Sequence, residues 1–440
     1  MTILNSIKKS DYDKIKSIAE IHKKQKRTCY GNNKSTKGTK DILPAEMPIW
    51  HFMEDTARKI FTKYGAKEIR TPIFEATELF ARGVGDTTDI VNKEMYTFEK
   101  SERSLTLRPE NTAGVVRAFI ENGMHRLSAP VKLWYKGPMF RYERPQAGRQ
   151  RQFHQVGVEV FGIKEATADA EVILMAVNYL KALGLNDLSV EINSLGCPNC
   201  RENFKTKLKE VLKPYLKDLC PDCQARYEKN PLRLLDCKVP ECKEIYAKPE
   251  IQAVIQSDFI CEDCAKHFEE LKSYLDKLGI KYSINKLLVR GLDYYNRTVF
   301  EITSNNLGSQ NAVCGGGRYD SLVRNLGGED IPAVGFAMGM ERLASLLGEK
   351  EEEKTTAFVV CNTPIEGIKL TEELRSKGIT AEFDLTSKKF VKQLEKASKV
   401  AKYALILGED ELSQNKVTIK NLETSEQKTV NRSDVLKELN

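Results

Sequence analysis

Met139-Phe140-Arg141-Tyr142-Glu143-Arg144-Pro145 carries an arginine out of an apolar, strand-like run into a polar turn. Val131-Lys132-Leu133-Trp134-Tyr135 leads into it and Phe153 to Phe161 follows it, and both alternate in the manner of a long β-hairpin. The connection Arg144-Pro145-Gln146-Ala147-Gly148-Arg149-Gln150-Arg151 is long for a hairpin and strongly basic. Long loops on rigid strands tend to carry function. On the second strand, residues 153, 155, 157 and 159 share one face, so Phe153, Gln155 and Glu159 line up with Gly157 leaving space between them. A buried Glu159 without a partner is costly, so this face describes a polar ligand pocket better than a packed core. His154 points to the opposite face and is expected in a core or surface role.

Two other segments share the arginine pattern: Arg290-Gly291-Leu292-Asp293-Tyr294-Tyr295 and Gly339-Met340-Glu341-Arg342-Leu343. A guanidinium on a rigid scaffold suits phosphate, because it offers paired donors and stays charged. Three of them converging would match a nucleoside triphosphate and the charge that develops when it is attacked. Leu107-Arg108-Pro109-Glu110-Asn111-Thr112 ends a strand-like segment before a helix that starts near Ala113. Glu110 and Thr112 there could grip an ammonium group, and the plainer reading is a helix start capped by Asn111 or Thr112.

The rest of the chain sorts around these motifs. At 440 residues two or three domains are expected. No apolar run approaches the roughly 20 residues needed to cross a bilayer, and the start lacks a secretory pattern, so a cytoplasmic protein is expected. The net charge of +7 is concentrated: residues 1–40 hold 11 basic and 3 acidic side chains, leaving the remainder near neutral. A basic extension over 1–36 is either an RNA-binding arm or a solvated tail. Apolar positions at helical spacing over 46–64 end at Gly65, and Glu68 to Phe74 forms a strand interrupted by Pro72. Proline confines a strand to an edge, which makes this a plausible dimer surface. After the charged 348–357 linker, strand and helix alternate through Leu407, which predicts a small α/β domain with a mainly parallel sheet.

Between 197 and 275 the sequence turns helical and Cys-rich and forms an insertion in the sheet domain. Eight of the 11 cysteines fall in four pairs: Cys197/Cys200, Cys220/Cys223, Cys237/Cys242 and Cys261/Cys264. Close pairs in a cytosolic setting point to metal, and four pairs could form two tetrahedral Zn²⁺ sites. Unmetallated thiols are the alternative, and the order of pairing stays open. Cys29, Cys314 and Cys361 are expected to be ordinary thiols.

Taken together, Phe140 to Glu143 with the basic loop, and Gly335-Phe336-Ala337-Met338-Gly339-Met340-Glu341-Arg342, resemble two signature motifs of class II aminoacyl-tRNA synthetases. The helix and Pro72 segment resembles a third. Leu288 to Tyr295, Arg108 to Thr112 and Cys314-Gly315-Gly316-Gly317-Arg318-Tyr319-Asp320 are similar to segments of histidyl-tRNA synthetases. The resemblance covers roughly residues 37 to 440, with the motifs in the family's order. It implies an α+β protein: a class II synthetase-type antiparallel catalytic domain over 37–347 and an anticodon-binding α/β domain over 358–440.

The resemblance also implies roles. Arg141 and Arg342 would hold the phosphates of ATP, Glu143 and Phe153 the adenine, and Arg290 the α-phosphate during attack, with Mg²⁺ as cofactor. Glu110, Thr112 and Gln155 would bind the α-amino group of L-histidine. Glu159 and Tyr295 would read its imidazole, which has one donor and one acceptor, with Tyr294 and Tyr319 walling the pocket. Arg149 and Arg151 would contact the acceptor end of tRNA(His), and the protein would be a homodimer. A regulatory paralogue from histidine biosynthesis and a sensor of uncharged tRNA are the competing readings. The intact Arg290 to Tyr295 segment, Glu159 and the C-terminal domain favour the enzyme.

Overall fold

The computed structural model describes residues 34–85, 88–146, 148–257, 259–304, 312–350, 354–386 and 388–439. Nearly all of the 1–36 extension therefore lies outside the described residues. The chain divides into two compact units, 1–349 and 350–440.

An eight-stranded sheet organises the first unit. From edge to edge it runs Lys67–Glu68, Val131–Phe140, Gln152–Phe161, Ala333–Gly339, Ala312–Arg318, Asn296–Ser304, Leu188–Ser194 and Tyr282–Ile284. The six inner strands pair antiparallel, and the two short edge strands pair parallel. The hairpin extends two-residue alternation across ten residues of each strand, with Leu133 opposite Glu159 and Phe140 opposite Gln152. The proline-interrupted segment does supply an edge: Lys67–Glu68 ends the large sheet, and Phe74–Ala76 begins a separate three-stranded one.

Alternation divides the strands between two cores. Trp134, Val156, Val158, Phe300 and Phe336 pack beneath the helices Met47–Lys63, Ala166–Ala182 and Glu262–Lys277, which supply Phe61, Tyr179 and Leu271. Side chains of the intervening positions, Tyr135, Phe161, Val299 and Tyr319, face the helix Thr112–Glu121 and its Val115, Val116 and Phe119. Burying each such large apolar side chain contributes about 1.5–3 kcal/mol. The Met47–Lys63 helix follows its sequence pattern, burying Ile49, Trp50, Met53, Ala57 and Phe61 and ending before Gly65 at φ 79°.

One polar node fastens the first core. Arg318, fully buried, donates from Nε to both carboxylate oxygens of Asp169 at 3.2 Å, from Nη1 to the Ile163 carbonyl at 2.9 Å and from Nη2 to the Glu165 carbonyl at 3.1 Å. The sheet is thereby tied to the start of the Ala166–Ala182 helix. Burial pushes the Asp169 carboxyl up, but the guanidinium and nearby His267 outweigh it and hold it down at about 2.

The insertion has its own apolar cluster, including Leu208, Leu212, Tyr227, Leu234, Ile245 and Ile255. Its last helix, Glu262–Lys277, instead gives Phe268, Leu271 and Leu275 to the main core.

The second unit has a five-stranded sheet in the order Ala381–Phe383, Thr355–Cys361, Ala401–Leu407, Lys416–Asn421, Gln427–Asn431. The helices Pro364–Ser376 and Phe390–Val400 cover its opposite faces, with Leu370 and Leu374 against Val359 and Ala397 against Phe358. The sheet is mixed where a mainly parallel one was expected. The parallel strands end at Leu407, and an antiparallel hairpin built around Leu422 to Glu426 completes the sheet. Among the described residues, no helix is long and apolar enough to cross a membrane.

Candidate active site

A cavity of about 280 Å³ opens over the centre of the large sheet. Its wall brings together the three arginines, Arg141, Arg290 and Arg342, from segments spread over about 200 residues of sequence. Each guanidinium is anchored by its scaffold. Arg141 Nε donates to the Pro109 carbonyl at 2.8 Å, and its guanidinium lies 5.2 Å from the centre of the Phe153 ring. Arg342 Nη1 donates to the Ala312 carbonyl at 2.6 Å. Arg290 pairs with Glu301, a partner the sequence reading missed. Its Nε is buried without a hydrogen-bond partner.

Gly315 is what admits Arg290. A Cβ there would overlap the guanidinium carbon and both terminal nitrogens. The glycine run, weak as a motif, is a steric requirement of the arginine. Burial lowers the pKa of Arg342, and neighbouring Arg149 lowers it further. That is the signature of a cationic wall.

A second group of residues occupies the inner end. Glu110, Thr112, Gln155, Tyr294 and Tyr295 all line the cavity. Glu110 settles the question of the helix start. Its carboxylate accepts from the backbone N–H groups of Thr112 at 2.7 Å and Ala113 at 2.9 Å. Asn111 occupies the N-cap position without a side-chain cap, because its Oδ1 is taken by Thr71 at 2.6 Å and Arg108 at 3.2 Å. Asn111 is thus the N-cap residue, as one reading had it, but the side chain that satisfies the first helical N–H groups is that of the preceding Glu110. Burial raises the Glu110 pKa, and the two backbone donors oppose that rise. Gln155 Oε1 is buried with no hydrogen-bond partner among the described residues.

Glu159 stands one layer behind this wall. Thr112 Oγ1 donates to it at 2.7 Å and the Tyr135 hydroxyl at 3.2 Å, and the Tyr319 hydroxyl completes the set. Burial pushes its carboxyl up to about 8, against the lowering effect of the Tyr319 and Thr112 hydroxyls. Tyr135 was not singled out from sequence. The register carried the signal: Tyr135 lies opposite Gly157, where an added Cβ would meet its hydroxyl at 2.5 Å. The space that Gly157 leaves is therefore filled by the tyrosine. Tyr294, Tyr295 and Tyr319 pack together, with ring centres 4.6 Å apart for the first two and 5.5 Å for Tyr294 and Tyr319.

At the mouth, Arg149 Nη1 pairs with Glu143 at 2.9 Å, and both line the cavity. Arg151 stays outside the lining, its guanidinium 3.8 Å over the Tyr142 ring and its Nε on the Glu143 carbonyl at 3.3 Å. His154 faces away as expected: its ring packs edge-on to Trp50 and its Nδ1 lies 2.9 Å from Glu341.

The eight paired cysteines form two clusters. Cys197, Cys200, Cys261 and Cys264 make one, and Cys220, Cys223, Cys237 and Cys242 the other, with all four sulfurs of each within 4.8 Å of one another. Cys314 and Cys361 are buried and free, and Cys29 lies outside the described residues.

An antiparallel sheet that gathers three arginines beside a carboxylate and an amide on one cavity is the arrangement expected of a class II aminoacyl-tRNA synthetase. The family model for histidyl-tRNA synthetase matches residues 38–199 and 245–343, and that for an anticodon binding domain matches 348–440. The chain is 49% identical to the histidine–tRNA ligase of Caldanaerobacter subterraneus subsp. tengcongensis, covering 90% of this chain and 96% of that one. It is 51% identical to that of Desulfitobacterium hafniense over 89% and 94%. The apo crystal structure of the S. aureus histidyl-tRNA synthetase superposes with a TM-score of 0.77 at 37% identity, covering 92% of this chain and 99% of that one. The chain belongs to the histidyl-tRNA synthetase family.

Proposed function

We propose that this chain activates L-histidine with ATP to histidyl-adenylate and transfers the histidyl group to tRNA(His). The observation that carries the reading is the convergence of Arg141, Arg290 and Arg342 with Glu110, Gln155 and the tyrosines on one cavity. The histidine carboxylate attacks the α-phosphorus of ATP in line, and pyrophosphate leaves. A terminal ribose hydroxyl of the tRNA then attacks the mixed anhydride and releases AMP. Neither step needs a side-chain nucleophile, so catalysis rests on positioning and on fixed positive charge.

Arg290 faces the α-phosphate, Arg141 and Arg342 hold the other phosphates, and Phe153 and Glu143 take the adenine. The unpartnered Gln155 oxygen, with Glu110 and Thr112, receives the α-ammonium. Glu159, one layer behind the wall, gives up on histidine binding the proton it holds in the ligand-free chain and accepts from the imidazole N–H, and the Tyr295 hydroxyl donates to the bare ring nitrogen. Glu301 and Glu341 on the cavity wall would be the carboxylates to hold Mg²⁺ together with substrate phosphates, if their contacts with Arg290 and His154 give way. That ion neutralises phosphate charge when bound.

Arg149 and Arg151 at the mouth hold the acceptor-end phosphates, which positions the strand without reading sequence. The second unit reads the anticodon. A homodimer is supported by the edge strand and by the exposed Ile73 and Phe74 beside it. The two thiol clusters suit structural Zn²⁺.

Pyrophosphate exchange with each of the 20 amino acids tests the reading. Exchange with histidine alone, abolished in Arg290→Ala, is the expected result. Folded protein that binds histidine without exchange would support the regulatory reading instead.

A further inference from the structure

The two thiol clusters are built like metal sites. A tetrahedral zinc with Zn–S bonds of about 2.3 Å has sulfur–sulfur edges of about 3.8 Å. The Cys197–Cys200 and Cys220–Cys237 sulfur separations are 3.5 and 3.9 Å. Backbone N–H groups also point at the sulfurs. Cys197 donates to Cys264 Sγ at 3.2 Å, Cys261 to Cys200 Sγ at 3.1 Å, and Cys220 to Cys242 Sγ at 3.2 Å. Such donors stabilise thiolates and orient metal ligands.

What these clusters border is more informative than their geometry. Arg201, the residue after Cys200, donates from Nη1 to the carbonyls of Asp293 at 3.2 Å and Tyr295 at 2.8 Å. Between Cys223 and Cys237 lie two more contacts with the same segment and two with Asp89. Asn230 Nδ2 donates to Asp293 Oδ1 at 2.7 Å, and Arg233 Nη1 to the Arg290 carbonyl at 3.3 Å. Arg226 Nη2 reaches Asp89 at 2.7 Å, and Arg233 Nη2 reaches the same oxygen at 3.4 Å. The segment that carries Arg290, Tyr294 and Tyr295 has no regular secondary structure of its own before the Asn296–Ser304 strand. Its carbonyls and its Asp293 are held from the insertion.

We infer that the insertion is a two-metal brace: a thiophilic cation in each tetrathiolate cluster fixes the side chains that set the 290–295 segment for catalysis. The inference rests on the proposed histidine-activating site and on structural zinc. Arg201, Asn230 and Arg233 are positioning residues, since they act through the segment they hold. Bound metal shortens the freedom of Cys200, Cys223 and Cys237, and each lies within seven residues of a holding side chain. The metals take no part in the reaction.

Metal content by plasma mass spectrometry on the purified full chain is the first measurement, and two zinc equivalents per chain are expected. Cobalt substitution should give the intense sulfur-to-cobalt charge-transfer bands of a tetrathiolate. Cys237→Ser should retain one equivalent, with pyrophosphate exchange roughly tenfold slower. Arg233→Ala and Asn230→Ala leave the thiols untouched. They should keep both equivalents and reproduce the slower exchange, with the loss mainly in kcat.

Should Cys237→Ser fail to fold, graded removal of zinc from the wild-type chain by a chelator replaces it, read against exchange rate and histidine binding by calorimetry. Chains without stoichiometric metal would overturn the inference. So would full-rate exchange after metal loss, or full-rate exchange in Arg233→Ala and Asn230→Ala. Absence of exchange in the fully metallated wild-type chain would instead sink the proposed activity, so the two failures are separable.

Discussion

Gly315 and Arg290 fit as a matched pair: the hydrogen on the glycine faces the guanidinium, and no side chain can replace it without displacing the arginine. Arg290 is also held by Glu301, whose strand position is directly opposite Gly315. The first prediction follows. Gly315→Ala should fold, because the residue lies in an ordinary extended strand, yet should slow pyrophosphate exchange about 10²-fold, comparable to losing one preorganised donor. Parallel kinetics of Gly315→Ala and Arg290→Ala check this, and wild-type rates in the alanine variant would refute the pairing.

Glu159→Gln keeps the neutral state that the protonated acid has in the ligand-free chain but removes the carboxylate that histidine binding draws on. Thr112, Tyr135 and Tyr319 all direct hydroxyls at this carboxylate. Leaving buried polar groups unmatched costs about 1–3 kcal/mol. We expect kcat/KM for histidine to fall by roughly 10²-fold, with ATP affinity unchanged. Isothermal titration with each substrate separates the two effects.

The same carboxyl sets a pH dependence. Its pKa in the folded chain is pushed up to about 8 from an ordinary 4.5. Between these values the folded chain holds a proton that the unfolded chain releases, so stability falls as pH rises across that window and levels off above it. Thermal melts of the ligand-free chain between pH 5 and 8 should therefore show a downward slope that is shallower in Glu159→Gln. Equal slopes in the two proteins would count against a buried, protonated Glu159.

Asp169 behaves oppositely. Held at about 2 from an ordinary 3.8, it contributes stability that is complete above 3.8 and is lost as pH falls through 2. Asp169→Ala takes from the buried Arg318 its closest carboxylate and leaves Asp320, 3.1 Å from Nη1, as the remaining partner, which costs about 3 kcal/mol, the low end for breaking a buried pair. Urea denaturation of the variant measures it. Asp169→Ala combined with Arg318→Met should recover only part of the loss, because it removes the buried guanidinium but also takes away the partner of Asp320.

The second unit has its own sheet and its own apolar clusters. A chain ending at Glu349 should keep histidine-dependent pyrophosphate exchange and lose most tRNA charging. Charging at full rate by the shortened chain would remove the anticodon-reading role from residues 350–440.

Much of this architecture was legible where information is local. The period-2 alternation of Phe153, Gln155, Gly157 and Glu159 placed a polar face on the right strand, and the helix over 47–63 followed its apolar spacing. What stayed hidden depends on distant partners. Gly315 looks like a turn residue until Arg290 is beside it, and Glu301 looks like a surface acid until the same arginine reaches it. The cysteine pairs were visible, but joining Cys197 and Cys200 to Cys261 and Cys264 requires the fold to return across 60 residues. The hairpin over 416–431 was missed because the strand–helix rhythm used to read the second unit stops at Leu407. Glu110 was read as a ligand for an ammonium or a bystander to a cap, and it is the residue that holds the helix start.

The cavity draws Glu110, Gln155, Arg290 and Arg342 from loops, a strand and a helix that span more than 230 residues. Contacts of such separation form late and slowly, since loop closure must precede them. A chain that has not yet reached Arg342 lacks the complete pocket, and substrate meets it only in the finished sheet. Histidine and ATP should consequently act as ligands of the native basin alone, retarding unfolding while leaving the refolding rate unaltered.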